Sequence, residues 1–201
     1  EEAKLKYKNL SILWNVHKYL VDYSKLFKVK RGKLSVEDNY ILSRMNDTIL
    51  KVTDHMEKYE IDLIPKLIED LFLDLSRNYI QLVRNKMDGH VLSVIEEVLL
   101  NSVKMLSILS PFISEKIYLD MKEEFRYKEE SVHHCKWVKG DKNKVDLELE
   151  REFEVMFNVV SAVLAARERA NRGVRWPIRR VSVVSQDKDV RKRVEKLKEL
   201  I

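Results

Sequence analysis

The sequence predicts a mainly α protein: a bundle of five or six mostly antiparallel helices, followed by a short, truncated α/β tail. Three observations carry this. Apolar residues recur at steps of three and four through most of the 201 residues, which is the helical period. Four Gly and three Pro leave little material for tight turns, and the breaks between periodic stretches are short. Hydrophobic residues make up 45% of the chain, enough for a core, while no apolar run reaches the roughly 18 residues of a membrane span. The opening has no secretory signal. A single cysteine excludes an internal disulfide and suits a reducing, cytoplasmic compartment.

The first helix is expected over residues 2–30. Leu13, Val16, Leu20 and Phe27 form its apolar stripe, with Trp14 and Tyr23 beside it. Trp14 reads as core, with stacking on a base as the alternative. Lys28, Lys30, Arg31 and Lys33 surround Gly32, where the chain turns. That cluster is either a solvated loop or a phosphate contact. Ser35 caps a second helix that carries Glu37 and Asp38 in its first turn. Ile41, Met45, Thr48, Ile49 and Val52 keep its period to about Tyr59.

Asp62 is the expected cap of a third helix, with Pro65 confined to the first turn and an end near Met87, before the Asp88–Gly89 break. Ile64, Ile68, Leu71, Leu75, Tyr79 and Leu82 occupy one face, and Asp70, Asp74, Arg77, Gln81 and Arg84 another. Two accounts of the polar face stay open. Its charges are solvated, with Asp74 pairing Arg77 at i, i+3, or Arg77, Gln81 and Arg84 offer donors to a phosphate or a base edge.

A fourth helix is expected from His90 to Leu109, with Leu92, Ile95, Leu99, Val103 and Leu106 in phase. Ser110 and Pro111 open a fifth, which carries Ile113, Ile117 and Met121 on one face and Glu115 as a structural partner rather than an acid catalyst. Residues 127–144 lack helical period. His133, His134 and Cys135 invite a zinc reading, but three adjacent side chains do not easily converge on one ion and there is no second cysteine. A sixth helix starts at Leu147, with Leu149, Phe153, Met156, Val160 and Val163 on its buried side, and Gly173 stops it. Ile178, Val181, Val183 and Val184 then partly alternate with polar residues and read as a strand. Asp187 opens a short basic helix to Ile201. One strand and one helix do not make a stable unit alone; they read as the start of a following domain, so the expected division is 1–172 and 173–201.

Net charge is +5, and its distribution is uneven. Residues 1–33 carry +6 and 171–201 carry +6, residues 126–144 carry +3, and the stretches 34–125 and 145–170 carry −7 and −3. A polyanionic partner would meet both ends and one loop, not the acidic middle.

DLSRNYIQLVRNKM (Asp74–Met87) closely resembles the Asp-Leu-Ser-Arg-x-Tyr-Ile-x-x-x-Arg segment of the helical anticodon-binding domain in class I isoleucyl-tRNA synthetases. Five further blocks stand in the family's order: LWNVHKYLVDY (Leu13–Tyr23), DNYILSRMND (Asp38–Asp47), LSPFISEKIY (Leu109–Tyr118), ESVHHCKW (Glu130–Trp137) and RWPIRRV (Arg175–Val181). The last is similar to an archaeal and eukaryotic block. Tyr40 stands where the family usually has Trp, Asn78 where Trp or Tyr is common, and no Pro follows Trp137. Valyl and leucyl enzymes carry looser versions of the blocks and remain the nearer alternative. A helical protein–protein scaffold is the farther one.

The resemblance implies a helical anticodon-binding bundle and a tRNA partner, the isoleucine acceptor. The parent polypeptide would carry an editing domain and a catalytic domain that uses ATP and magnesium. Neither adenylation signature, His-Ile-Gly-His or Lys-Met-Ser-Lys-Ser, occurs here, nor does a phosphate-cradling glycine loop or zinc spacing. No catalysis and no cofactor are therefore expected of these residues. Anticodon bases lie unstacked in a loop and are read on their edges and faces, which needs fixed donors and a stacking surface. The candidates are Arg77, Gln81, Arg84 and Lys86 on the third helix, and Arg175, Trp176 and Arg179 after the sixth. Trp176 is either a stacking platform or an apolar anchor for the next domain.

Overall fold

Ser35 and Asp38 close a reciprocal capping box: the Ser35 hydroxyl accepts from the Asp38 amide, and the Asp38 carboxylate accepts from the Ser35 amide. This start fixes α2 (Val36–Glu57) and draws Asp38 into the interior, where it is 2% exposed. The computed structural model describes residues 2–198. They fall into two units, one ending at Val145 and the other beginning at Asp146.

The first unit is a helical bundle. Besides α2 it contains α1 (Glu2–Ser24), α3 (Ile64–Asp74), α4 (Ile80–Val83), α5 (Gly89–Leu106) and α6 (Pro111–Phe125). α5 is the central member and packs on α1, α2, α3 and α6. Its sequence accounts for that place: Val91, Val94, Ile95, Val98, Leu99, Val103 and Met105 are buried over a broad face, wide enough to meet several neighbours. Glu115 on α6 accepts from the Ser131 hydroxyl and the Val132 amide, both at 3.0 Å, so it is a structural partner. Those bonds dock the 3₁₀ turn Val132–His134 on the bundle. The Trp137 indole donates to Thr53 Oγ1 at 3.0 Å.

The third helical stretch departs from a plain α-helix. A 3₁₀ turn, Ile61–Leu63, precedes α3, so Leu63 rather than Asp62 takes the cap position, with no side-chain bond. α3 then runs into a π-helical turn, Leu75–Tyr79, then α4, and ends in a 3₁₀ turn, Arg84–Lys86. A π turn inserts residues relative to the 3.6 period and is common at functional sites. Here it rotates the residues C-terminal to it. Leu75 and Tyr79 are buried as the period predicts, but beyond them Ile80 and Val83 enter the core and Leu82 is only half-buried.

Two Tyr–Asp bonds cross between α2 and this stretch in opposite senses. Tyr40 on α2 donates to Asp74 at 2.6 Å, and Tyr79 in the π turn donates to Asp38 on α2 at 2.5 Å. Arg44 and Asn78 also bond Asp74, at 3.2 and 2.6 Å. Asp74 is 8% exposed and faces inward. The expected Asp74–Arg77 pair therefore does not form.

The second unit contains α7 (Leu147–Arg169), packed with α8 (Lys188–Lys196). Glu148–Arg193 and Glu152–Lys196 ion pairs join them. No strand forms over residues 178–184, correcting the expected α/β tail. Ile178, Val181, Val183 and Val184 are 41–92% exposed, and no ladder partner exists among the described residues. β-branched residues favour a pleated, half-buried surface, which needs a second strand. α8 starts after Asp187 as expected and ends at Lys196. Positions 199–201, to which the sequence carries it, lie outside the described residues.

Burial alone would push the Asp38 carboxyl up, but hydrogen bonds from Tyr79, Ser35 and His90 outweigh it and hold the group below its usual range. A depressed carboxyl contributes stability that is present above its unfolded value and lost as pH falls through the folded one. Urea unfolding should show stability falling below about pH 4. Tyr79→Phe should cost about 1–3 kcal/mol at neutral pH and flatten that acid dependence.

Candidate nucleic-acid interface

Arg77 projects from the π turn, Gln81 from α4 and Arg84 from the 3₁₀ turn that succeeds it. All three are exposed, and none has a side-chain hydrogen bond or ion pair among the described residues. Lys86 differs. Its Nζ lies 2.8 Å from Glu37 Oε1, and the Glu37 side chain is 3% exposed. Burial pushes the Glu37 carboxyl up, and the bond from Lys86 together with backbone and Ser35 hydrogen bonds brings it below its ordinary value. Lys86 thus spends one of its three ammonium donors on a buried acid, while its side chain stays 61% exposed.

Arg84 stands beside an aromatic row that the sequence divides between stripe and flank. The Tyr19 and Tyr23 rings are 4.3 Å apart at 32°, and Tyr23 and Phe27 stack at 6.4 Å and 13°. The spacing of four residues is the signal that marks this row in the sequence. Burial, then Tyr23, push the Tyr19 phenol up to about 12 against the opposing pull of the Arg84 charge.

The helix expected to reach residue 30 stops at Ser24, and the basic residues after it form a loop laid on the start of α5. The Lys30 amide donates to Gly89 O at 2.9 Å, and Lys30 Nζ lies 3.5 Å from Asp88 Oδ2. The Gly32 amide donates to His90 Nδ1 at 2.9 Å. Close approach requires the glycine at 89 and leaves little room at 32. A Cβ on Gly89 would lie 1.9 Å from the Lys28 carbonyl oxygen, and one on Gly32 would lie 3.0 Å from His90 Cγ. Residues 84–86 lead directly into Asp88–His90. The loop and the end of the third stretch therefore share one end of the bundle. Lys28, Arg31 and Lys33 are exposed and have no ion pair among the described residues. Sequence reasoning singles out this cluster but has no means of placing it at the same end of the bundle as Arg84.

In the second unit, Arg175, Trp176 and Arg179 are all exposed, Trp176 at 67%. The turn that carries Arg175 and Trp176 is tied by Arg167, whose Nη2 donates to the carbonyls of Gly173 and Trp176, each at 2.6 Å. Arg167, near the end of α7, orders the segment from below, a role its place in the sequence does not reveal.

The assembly in the first unit is a surface of exposed cations on rigid elements, next to half-buried aromatic rings. Such a surface offers charge-assisted hydrogen bonds to phosphate oxygens and planar groups for stacking.

The family model for the anticodon-binding domain of tRNA ligase matches residues 38–183. Among curated relatives, the isoleucine–tRNA ligase of Pyrococcus abyssi is 33% identical over 96% of this chain and 19% of its own length. That of Archaeoglobus fulgidus is 31% identical over 100% of this chain and 21% of its own length. That of Methanosarcina mazei is 31% identical over the same shares. The chain spans about a fifth of the length of these relatives.

The free and committed cations should separate by stability. Arg77→Ala and Arg84→Ala should each change the unfolding free energy by no more than about 0.5 kcal/mol. Lys86→Ala, which leaves Glu37 without its cation, should cost about 1–2 kcal/mol, discounted for the exposed lysine. Paired urea titrations measure the difference.

Proposed function

Because the chain belongs to the family of anticodon-binding domains of tRNA ligases, we propose that it grips the anticodon stem-loop of a tRNA, and that this tRNA is the isoleucine acceptor. The observation that carries the reading is the exposed set Arg77, Gln81 and Arg84, unpaired among the described residues, on a helix end held by buried bonds. The names of the relatives favour isoleucine over valine or leucine. In this reading the 201 residues are one part of a longer cytoplasmic ligase that also has an editing domain and a catalytic domain, the latter handling isoleucine, ATP and magnesium. The segment 173–201 leads into a further small domain.

The division of labour follows from the chemistry. Lys and Arg contacts to phosphates give salt-dependent affinity without sequence information. Reading a base needs a donor held in place. Arg77 and Arg84 are fixed at their roots by the π turn and the 3₁₀ turn, while Gln81 offers both a donor and an acceptor. Lys86 contributes by holding Glu37. Arg175 and Arg179 supply further cations in the second unit, and Trp176 a stacking face.

Filter binding with tRNA transcripts that differ only in the anticodon tests the reading. Arg84→Ala should cost about 1–3 kcal/mol of binding and flatten discrimination if the guanidinium reads a base. Equal loss for all transcripts, with the salt slope reduced by about one, would assign it to a phosphate. Wild-type affinity that ignores the anticodon altogether would refute anticodon recognition. The chain alone should show no isoleucine-dependent ATP–pyrophosphate exchange, and exchange surviving full purification would contradict that.

A further inference from the structure

His90 sits under the basic loop and, among the described residues, its ring is the one side chain that bonds the loop's turn at Gly32 to the interior. That side chain is 13% exposed. The Gly32 amide is a donor, so His90 Nδ1 must accept from it. The ring is then neutral, with its proton on Nε2, which faces Asp38 Oδ2 at 3.1 Å. The charged and titratable groups around it are few. Asp38 of α2 meets Nε2 and holds Tyr79 on its other oxygen. Asp88, the N-cap of α5, lies on the ring's own element with Lys30 against it. Glu37 and Lys86 form the neighbouring pair.

We infer that His90 is a positioning residue for the tRNA surface: its imidazole, accepting at Nδ1 from Gly32 and facing Asp38 through Nε2, latches the turn of the basic loop to the interior. This rests on the tRNA-binding reading above. A side chain at position 90 with no acceptor at the Nδ1 place loses the Gly32 bond, while the Lys30 amide still donates to Gly89 O. Arg31 and Lys33, on either side of Gly32, then lose an anchor, and ordering them costs part of the binding free energy.

Two variants separate the ring's two bonds. His90→Asn places an oxygen near the Nδ1 position and accepts from Gly32. His90→Gln reaches toward Asp38 but leaves Gly32 without an acceptor. The experiment measures the exchange protection of the Gly32 amide by NMR, and filter binding of an isoleucine-type tRNA transcript, for wild type and both variants in one buffer. His90→Asn should keep the protection and most of the affinity, and His90→Gln should lose the protection and bind about tenfold more weakly than His90→Asn. Unchanged Gly32 protection in His90→Gln would overturn the latch, as would equal affinity of the two variants. Failure of wild type and both variants to bind the transcript would overturn the tRNA reading and the affinity effect with it. In that case the Gly32 exchange alone decides whether His90 holds the loop.

Discussion

Two buried carboxylates, Asp38 and Asp74, hold the frame on which everything at the basic end depends. Each accepts a tyrosine hydroxyl from the opposite helical stretch, so α2 and the third stretch are pinned at two points and cannot slide. Asp38 also closes the α2 cap and holds His90. It therefore links α2, the π turn, α5 and, through His90, the loop after α1. Burying an acid is costly unless its lone pairs are satisfied. Here every bond that satisfies Asp38 comes from a different piece of the chain or from the cap itself, so desolvation is offset by bonds that also set register.

This arrangement explains why a surface of cations sits over acids without being neutralised by them. Glu37 is matched by Lys86, Asp38 by His90 and hydroxyl or amide donors, and Asp74 by Arg44, Tyr40 and Asn78. The acids are inside, with their own partners. Arg77 and Arg84 are outside, with no acid against them among the described residues. Had Asp74 faced outward, as a plain 3.6 period would allow, it would have met Arg77 and removed that charge from the surface.

The helices are legible in the sequence because their apolar period is a property of each segment alone. The π turn is not, since nothing in DLSRNY announces an inserted residue. The change shows only in which side chains reach the core, with Ile80 and Val83 in place of Leu82. The strand expected at 178–184 fails for the opposite reason. Alternation reports that a segment could pleat, but a strand exists only with a partner. The site divides in the same way. Arg77, Gln81 and Arg84 are visible as a polar face, and the basic loop as a cluster. The Lys86–Glu37 pair is not visible in the sequence, because a lysine bound to a buried glutamate 49 positions away reads like any other lysine. The nearness of the loop to Arg84 runs through Gly32, His90 and Gly89, residues whose importance lies in packing distance and not in pattern.

The same logic accounts for where the protein places order and where it leaves freedom. Clustered cations repel one another, and a surface built to meet a polyanion is destabilised while that polyanion is absent. The fold meets this by anchoring backbone rather than side chains. Main-chain bonds and the Gly32–His90 contact fix the loop's path, and the helix ends fix the roots of Arg77 and Arg84. The guanidinium and ammonium groups stay solvated and apart. Such preorganisation lowers the ordering cost of binding without requiring the charges to approach each other in the free protein. It also concentrates sensitivity in the few groups beneath the loop, where the His90 ring and the Gly89 carbonyl hold the backbone from which the cations project.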